Sequence, residues 1–206
     1  LHVLQGPAVA LGSYLLRPIQ ALQALDVQVA VASVAAAVVF AVALSRAFHP
    51  SADQPAERAV MVRLLVAGIV LTALAYPLTF TVRAYAISGR DTRVHLAAGF
   101  GAALVLASAW QLVVSSGRSP KVRRGLIGAL SGVLALLVGF GIVVQKDYAR
   151  AWELQQRFWA SLLEMVPDLQ ERTVILVDPA GLDDTRYIDA NTWNLPAVLP
   201  QLFEYP

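Results

Sequence analysis

The stretch that most restricts this chain runs from Lys121 to Gln145. It opens on the basic cluster Lys121-Val122-Arg123-Arg124 and continues, over residues 126–144, as an apolar run spaced by glycines and lacking any ionisable side chain. Nineteen residues of helix reach about 28 Å, close to the hydrocarbon thickness of a bilayer. A helix of that length and character has no use for water along its flank, so the segment reads as a transmembrane span with a basic entrance. After Val144 the pattern changes, because charges and aromatic residues return at Lys146, Asp147, Tyr148 and Arg150.

Three further segments repeat the apolar pattern and give about four spans in all. Residues 27–44 are almost entirely Ala and Val, with Gln28 and Ser33 as the polar exceptions, and alanine-rich faces allow close helix approach in lipid. This span is expected inside a bundle. Residues 64–82 form the second, with Arg63 able to snorkel at its start and Tyr76-Pro77 expected to kink it near the far end. The third covers 94–114, with His95 at its mouth and Gly99 and Ala103 as a pair of small residues four apart. In the fourth, Gly128, Gly132 and Gly139 lie roughly on one face, which suggests packing before chemistry.

Composition supports this reading. Hydrophobic residues make up 57% of 206 and charged residues 15%, well below the quarter usual in soluble domains. The net charge is +2, but the arginines sit at span ends and form no continuous stripe, so nucleic acid is not an expected partner. The lipid bilayer is. With no cysteine, disulfides, thiolate catalysis and cysteine-ligated zinc are excluded.

The flanks are of different kinds. Residues 1–26 are apolar but interrupted by Gly6, Pro7, Gly12 and Pro18; Pro18 suits the first turn of a short interfacial helix carrying Ile19, Leu22 and Leu25, the alternative being the end of an upstream span. At the other end, Tyr148, Trp152, Gln155, Trp159, Leu162 and Val166 recur at steps of four and three, predicting an amphipathic helix stopped by Pro167 with its Trp152, Trp159 and Leu162 face buried. A β-branched run at 173–177 reads as a strand, and a helix is expected near 195–205. The expected fold is therefore an all-α transmembrane bundle over 27–145 followed by a small extramembrane α/β segment over 146–206. A first residue other than Met, and an end just after a helix-like stretch, suggest part of a longer polytopic protein.

Basic residues in the short connections set an orientation. Arg46, Arg58, Arg63, Arg118, Lys121, Arg123 and Arg124 fall on one side, against Arg17, Arg83, Arg90 and Arg93 on the other. The first side is then cytoplasmic and the C-terminal segment extracytoplasmic. On the outer side, the connection Arg83 to Val94 brings Ser88, Arg90, Asp91, Thr92 and Arg93 up to His95. Guanidiniums and hydroxyls at headgroup level suit a phosphate or pyrophosphate, His95 can exchange a proton and Asp91 can act as a base. The same residues also suit plain contact with lipid headgroups, and His95 suits a span cap.

Asp178, Asp183, Asp184 and Asp189 cluster after the expected strand, but no calcium-loop spacing joins them and solvated loop acids account for them. No metal site or cofactor-binding motif is read here. Nucleophile-elbow, phosphate-loop and zinc-protease patterns are lacking, and no Asp, Glu or Lys lies mid-span to carry protons.

The run RVHLAAGFGAALVLASAW, leading through the fourth span to QKDYARAWELQQRFWASLLEMVPDLQERTVILVD, resembles the C-terminal part of large, uncharacterised bacterial multi-pass membrane proteins, themselves similar to integral-membrane glycosyltransferases of the GT-C type. The likeness covers roughly 80–178 and carries no diagnostic catalytic motif. It implies a polyprenyl-phosphate-linked sugar donor bound at the outer face and a catalytic acid in an early outer loop that has no counterpart here. No catalytic residue is therefore assigned, and Arg90, Arg93 and His95 are the candidates for holding the donor phosphate. The alternative is a non-catalytic membrane scaffold or assembly subunit that binds another protein through its C-terminal segment.

Overall fold

The computed structural model describes residues 2–47, 55–76, 95–115 and 119–167. Among them all regular structure is helical: α1 (His2–Gln23), α2 (Val27–Ala47), α3 (Pro55–Leu74), α4 (Leu96–Ser115) and α5 (Pro120–Met165). The strand expected at 173–177 and the helix expected near 195–205 lie outside the described residues, so the α/β character of the C-terminal segment has no support. Three helices, α2, α4 and α5, are long and apolar enough to cross a membrane. The chain divides into two compact units, Leu1–Ile87 with Asp91–Val143 and Ser88–Arg90 with Val144–Pro206.

In the first unit the helix limits follow local chemistry. Asp26 caps α2, its Oδ1 accepting from the Val29 N–H at 3.0 Å, which satisfies one of the otherwise orphaned first-turn donors. Pro55 and Pro120 open α3 and α5, where proline's missing N–H costs nothing and its fixed φ suits a helix. Residues 55–63, expected as loop and span entrance, are thus the first turns of α3. With Glu57, Arg58 and Arg63 in its first half, α3 is not among the three membrane-length apolar helices.

Two expectations about breaks are corrected. α1 continues through Pro7 and Pro18 for 22 residues; Pro18 lies near its end, buried, and not in a first turn. α3 ends at Leu74, with Ala75 a turn and Tyr76 a bend, and the rest of the expected span, from Pro77, lies outside the described residues. No kink within a span is formed there by the described residues, because the residue before a proline is pushed out of helical backbone.

Packing is uneven. α4 lies against α3 along its length and also touches α1, which in turn meets α3. The buried face of α1 carries Gly6, Ala10, Pro18 and Ala21, while Leu15, Ile19 and Leu22 point outward. Small residues inside and large aliphatics outside is the arrangement of a helix whose outer solvent is apolar. The interior expected for α2 is not found: only Val29 and Ser33 are buried, and Val27, Val31, Val34, Val38, Val39 and Val42 are exposed. Its alanines are half-buried or exposed, none fully buried.

The glycines of α5 show the same contrast. A side chain added at Gly125, Gly128 or Gly132 would meet nothing within 4 Å, whereas at Gly139 it would strike Ser33 Oγ and lie 3.3 Å from Val29 Cγ1. Among the described residues, the stripe expected for packing meets a neighbour at Gly139 and not at Gly125, Gly128 or Gly132.

In the second unit, the described residues are the last turns of α5 and the two residues after it. α5 is one helix of 46 residues, so hydropathy changes after Val144 without a break in the backbone; Gln145-Lys146-Asp147 contains no Gly or Pro to stop it. It ends at Met165, just before Pro167, as the sequence suggests. Its buried face matches the expected one only in part. Ala151 and Leu162 are buried and Trp159 half-buried, but Trp152 is 60% and Tyr148 57% exposed. Stepping by three and four from Ala151 gives 155, 158 and 162, a line that passes Trp152 by one position.

Candidate functional site

Of the three candidate phosphate-holding residues, His95 is described; Arg90 and Arg93 lie outside the described residues, as do Arg83, Asp91, Asp178, Asp183, Asp184 and Asp189. His95 stands immediately before the first residue of α4 and is half-buried. Its Nδ1 is 2.7 Å from the Tyr76 hydroxyl, and the two rings meet edge-on with centroids 5.7 Å apart and planes at 61°. Tyr76 in turn donates its hydroxyl proton to the Gly6 carbonyl at 2.7 Å. A junction of three helices is thus threaded by a chain of polar groups, from the mouth of α4 through the end of α3 to the first turns of α1.

Each member is where it is for a local reason. A helical carbonyl has two lone pairs, so Gly6 can serve its own helix and also accept from Tyr76. Glycine is required at that position: a Cβ there would lie 2.6 Å from Tyr76 Cδ1 and 2.7 Å from Cζ. Tyr76 is buried in a small cluster with Ala10 and Ala98, Ala75 packing beside it. Further along α1, Tyr14 donates to the Gly99 carbonyl at 3.1 Å. Two tyrosines on apolar ground therefore tie three helices together through their hydroxyls, each satisfied by backbone.

Beneath this junction α3 and α4 approach to backbone contact. A Cβ at Gly68 would meet the Gly101 carbonyl and the Val105 nitrogen, each at 2.9 Å; one at Gly101 would meet the Thr72 nitrogen at 2.6 Å and the Gly68 carbonyl at 2.8 Å. Thr72 turns its hydroxyl onto the Gly68 carbonyl at 2.8 Å, which satisfies a buried polar group without help from water. This pair, and not Gly99 with Ala103, is the close contact of α4; Ala103 is exposed.

Arg17, placed by the charge pattern on the same side as the candidate loop, lies with its guanidinium carbon 4.8 Å above the Phe140 ring centre, a cation–π contact between α1 and α5. Among the described residues no three His, Asp or Glu side chains gather closely enough to hold a metal ion.

Sequence reasoning finds His95 and misses its partners. Gly6-Pro7 reads as a break and Tyr76-Pro77 as a kink, so neither points to a site. The signal that could have found the junction is the spacing of small residues, Gly6 with Ala10 and Gly68 with Thr72, which marks close helix approach on α1 and α3. No family model, curated protein or solved structure matches this chain.

Proposed function

We propose that this chain is part of a multi-pass, glycosyltransferase-like protein of the cell membrane, handling a polyprenyl-phosphate-linked sugar at the outer face. In this reading four spans cross the bilayer, the second of them over residues 64–82, and the C-terminal segment is extracytoplasmic. Arg90 and Arg93 hold the donor phosphate beside His95. The observation that supports it is the buried polar chain His95–Tyr76–Gly6 at the mouth of an apolar helix, two residues after Arg93. Ionisable side chains in apolar helical surroundings are costly to keep and tend to mark functional positions.

The test is donor binding by the full-length protein. Charge-assisted hydrogen bonds contribute about 1.5 to 3 kcal/mol each, so Arg90→Ala with Arg93→Ala should weaken binding of a polyprenyl-phosphate sugar by at least about tenfold while leaving expression intact. Lysine at both positions should restore binding in part, since it lacks the planar fork. Unchanged binding in the double alanine variant would sink this reading. Orientation has its own test: on intact cells an impermeant maleimide should label Asp183→Cys and spare Ser119→Cys.

A second reading, a membrane scaffold or assembly subunit, is favoured by the exposed Tyr148 and Trp152 on the second unit. Aromatic residues one helical turn apart are the usual anchors of a protein contact. If that is their role, Trp152→Ala abolishes assembly with the partner protein and leaves donor binding untouched.

A further inference from the structure

Beyond Val144 the aromatic residues of α5 fall into two pairs. Tyr148 and Trp152 are exposed; Phe158 and Trp159 are half-buried and meet edge-on, with ring centroids 5.3 Å apart. The exposed pair stands one helical turn apart on a helix that continues the apolar run of residues 126–144 without a break. At about 1.5 Å per residue, the Tyr148 Cα lies about 6 Å past Val144 along α5, that of Trp152 about 12 Å, and those of Phe158 and Trp159 about 21 Å or more. A tilt of about 20°, usual for spans, shortens these depths by only about 6%. The headgroup layer outside the hydrocarbon is about 5 to 8 Å deep on each side. In a helix every Cα–Cβ bond tilts towards the N-terminus, which on α5 is towards the apolar run, so the rings of Tyr148 and Trp152 lean back to headgroup depth. Phe158 and Trp159 lie beyond it. Among the described aromatic residues of α5 past Val144, exposure is thus confined to the depth at which lipid headgroups would cover them.

We propose that Tyr148 and Trp152 form an interfacial anchor: their rings lie in the headgroup layer of a phospholipid surface, where α5 leaves the hydrocarbon, and hold the helix at one depth. Both residue types suit that layer, each having an apolar ring for the acyl boundary and one polar atom, a phenol O–H or an indole N–H, for the wet side. A partner protein has no reason to select those two turns of α5, whereas the headgroup layer ends with them. Rings covered by lipid in this way are not the anchors of a protein contact. The inference depends neither on the sugar-donor reading nor on which side of the bilayer is cytoplasmic.

The experiment is tryptophan fluorescence of the full-length protein reconstituted in phosphatidylcholine vesicles, with lipids brominated either near the headgroup end or near the tail end of the acyl chain, and with iodide in the water. The difference between wild type and Trp152→Phe, which keeps an aromatic ring, isolates the Trp152 signal. That signal should be blue-shifted from indole in water and quenched more strongly by the shallow bromines than by the deep ones. Tyr148→Trp should add a second signal that the shallow bromines quench more strongly still, since it lies one turn nearer the hydrocarbon. A Trp152 signal open to iodide and untouched by either lipid overturns the proposal, as does stronger quenching by the deep bromines. A signal shielded from iodide and from both lipids overturns it as well, and gives the pair to a protein contact. Should Trp152→Phe fail to fold, a spin label on Ala149→Cys, an exposed position on the same turns, decides: relaxation by oxygen at headgroup depth supports the anchor, and full access to a water-soluble nickel complex overturns it.

Discussion

Two helix contacts in the first unit bring small residues together and do so in opposite ways. Between α3 and α4, Gly68 and Gly101 let backbone meet backbone, and any added carbon would collide with main-chain atoms at 2.6 to 2.9 Å. Between α2 and α5, Gly139 faces Ser33 and Val29, so the atoms it meets are side-chain atoms. By hydropathy the first pair is no better than the second, since α2 and α5 are both apolar along long stretches. What separates them is whether the surface opposite a glycine is fixed or free to turn. A main-chain neighbour can yield only if a whole helix shifts, while a serine hydroxyl yields by rotating about χ1.

The comparison is broken most directly at Gly101. Gly101→Ala places a methyl against the Thr72 nitrogen and the Gly68 carbonyl, so α3 and α4 must move apart over their full contact. The expected loss is about 3 kcal/mol, the upper end of the usual cost of overpacking. Thermal unfolding of the detergent-solubilised full chain would register it as a clear drop in Tm. A variant as stable as wild type would mean that the two helices are not in backbone contact.

Gly6→Ala should cost somewhat less, about 2 kcal/mol. Its neighbour is a side chain, the Tyr76 ring, but one pinned by bonds to Gly6 and His95 that cannot swing away without giving up a buried hydrogen bond worth about 1 kcal/mol. The sharper readout is the pairing: in a Tyr76→Phe background, where the ring is no longer tethered, the cost of Gly6→Ala should fall. Equal cost in both backgrounds would mean that the tether does not hold the ring against α1.

How much of this was legible in the sequence depends on which physical quantity each feature expresses. Span positions are an average over some twenty side chains, so the apolar stretches of α2, α4 and α5 emerge from composition alone. Helix ends shortly before Pro167 and before Tyr76-Pro77 follow from the covalent limits of proline. The continuity of α5 was hidden because a change of solvent exposure at Lys146 resembles a boundary, yet no residue there breaks a helix. The buried line of the last turns was hidden for a related reason: apolar period marks which residues can be buried, and Trp152 and Leu162 both qualify, while tertiary contact chooses Ala151 and Leu162. The site was half legible. His95 declares itself as an ionisable residue beside a span. Tyr76, however, is joined to it across 19 positions of sequence, and Gly6 to Tyr76 across 70, by hydrogen bonds that periodicity does not encode.

At the loose contact the effects should be small. Gly139→Ala meets Ser33 Oγ and the edge of Val29, and relief requires only that the hydroxyl turn, so the expected loss is at or below about 1 kcal/mol. A loss matching that of Gly101→Ala would show that α2 is as firmly seated as α3 and would erase the distinction drawn above.

The smallest effect, and the one of opposite sign, belongs to Ser33 itself. Its Oγ is buried against Gly139 with no hydrogen-bond partner among the described residues, unlike Thr72 and Ser131, whose hydroxyls bond the carbonyls four residues back at 2.8 Å. A buried hydroxyl left unsatisfied costs about 1 to 3 kcal/mol, and on a helix edge much of that is recovered by small motions. Ser33→Ala should therefore leave stability unchanged or raise it by about 1 kcal/mol. It should also remove the atom that the new methyl of Gly139→Ala would strike, so Ser33→Ala with Gly139→Ala should be more stable than the sum of the single changes, as contacting residues couple where distant ones add. If Ser33→Ala instead destabilises by more than about 1 kcal/mol, the worth of an ordinary hydrogen bond, the hydroxyl is bonded in the membrane-embedded protein. α2 would then be held by a polar contact, and the contrast with α3 and α4 would be one of bond type instead of tightness.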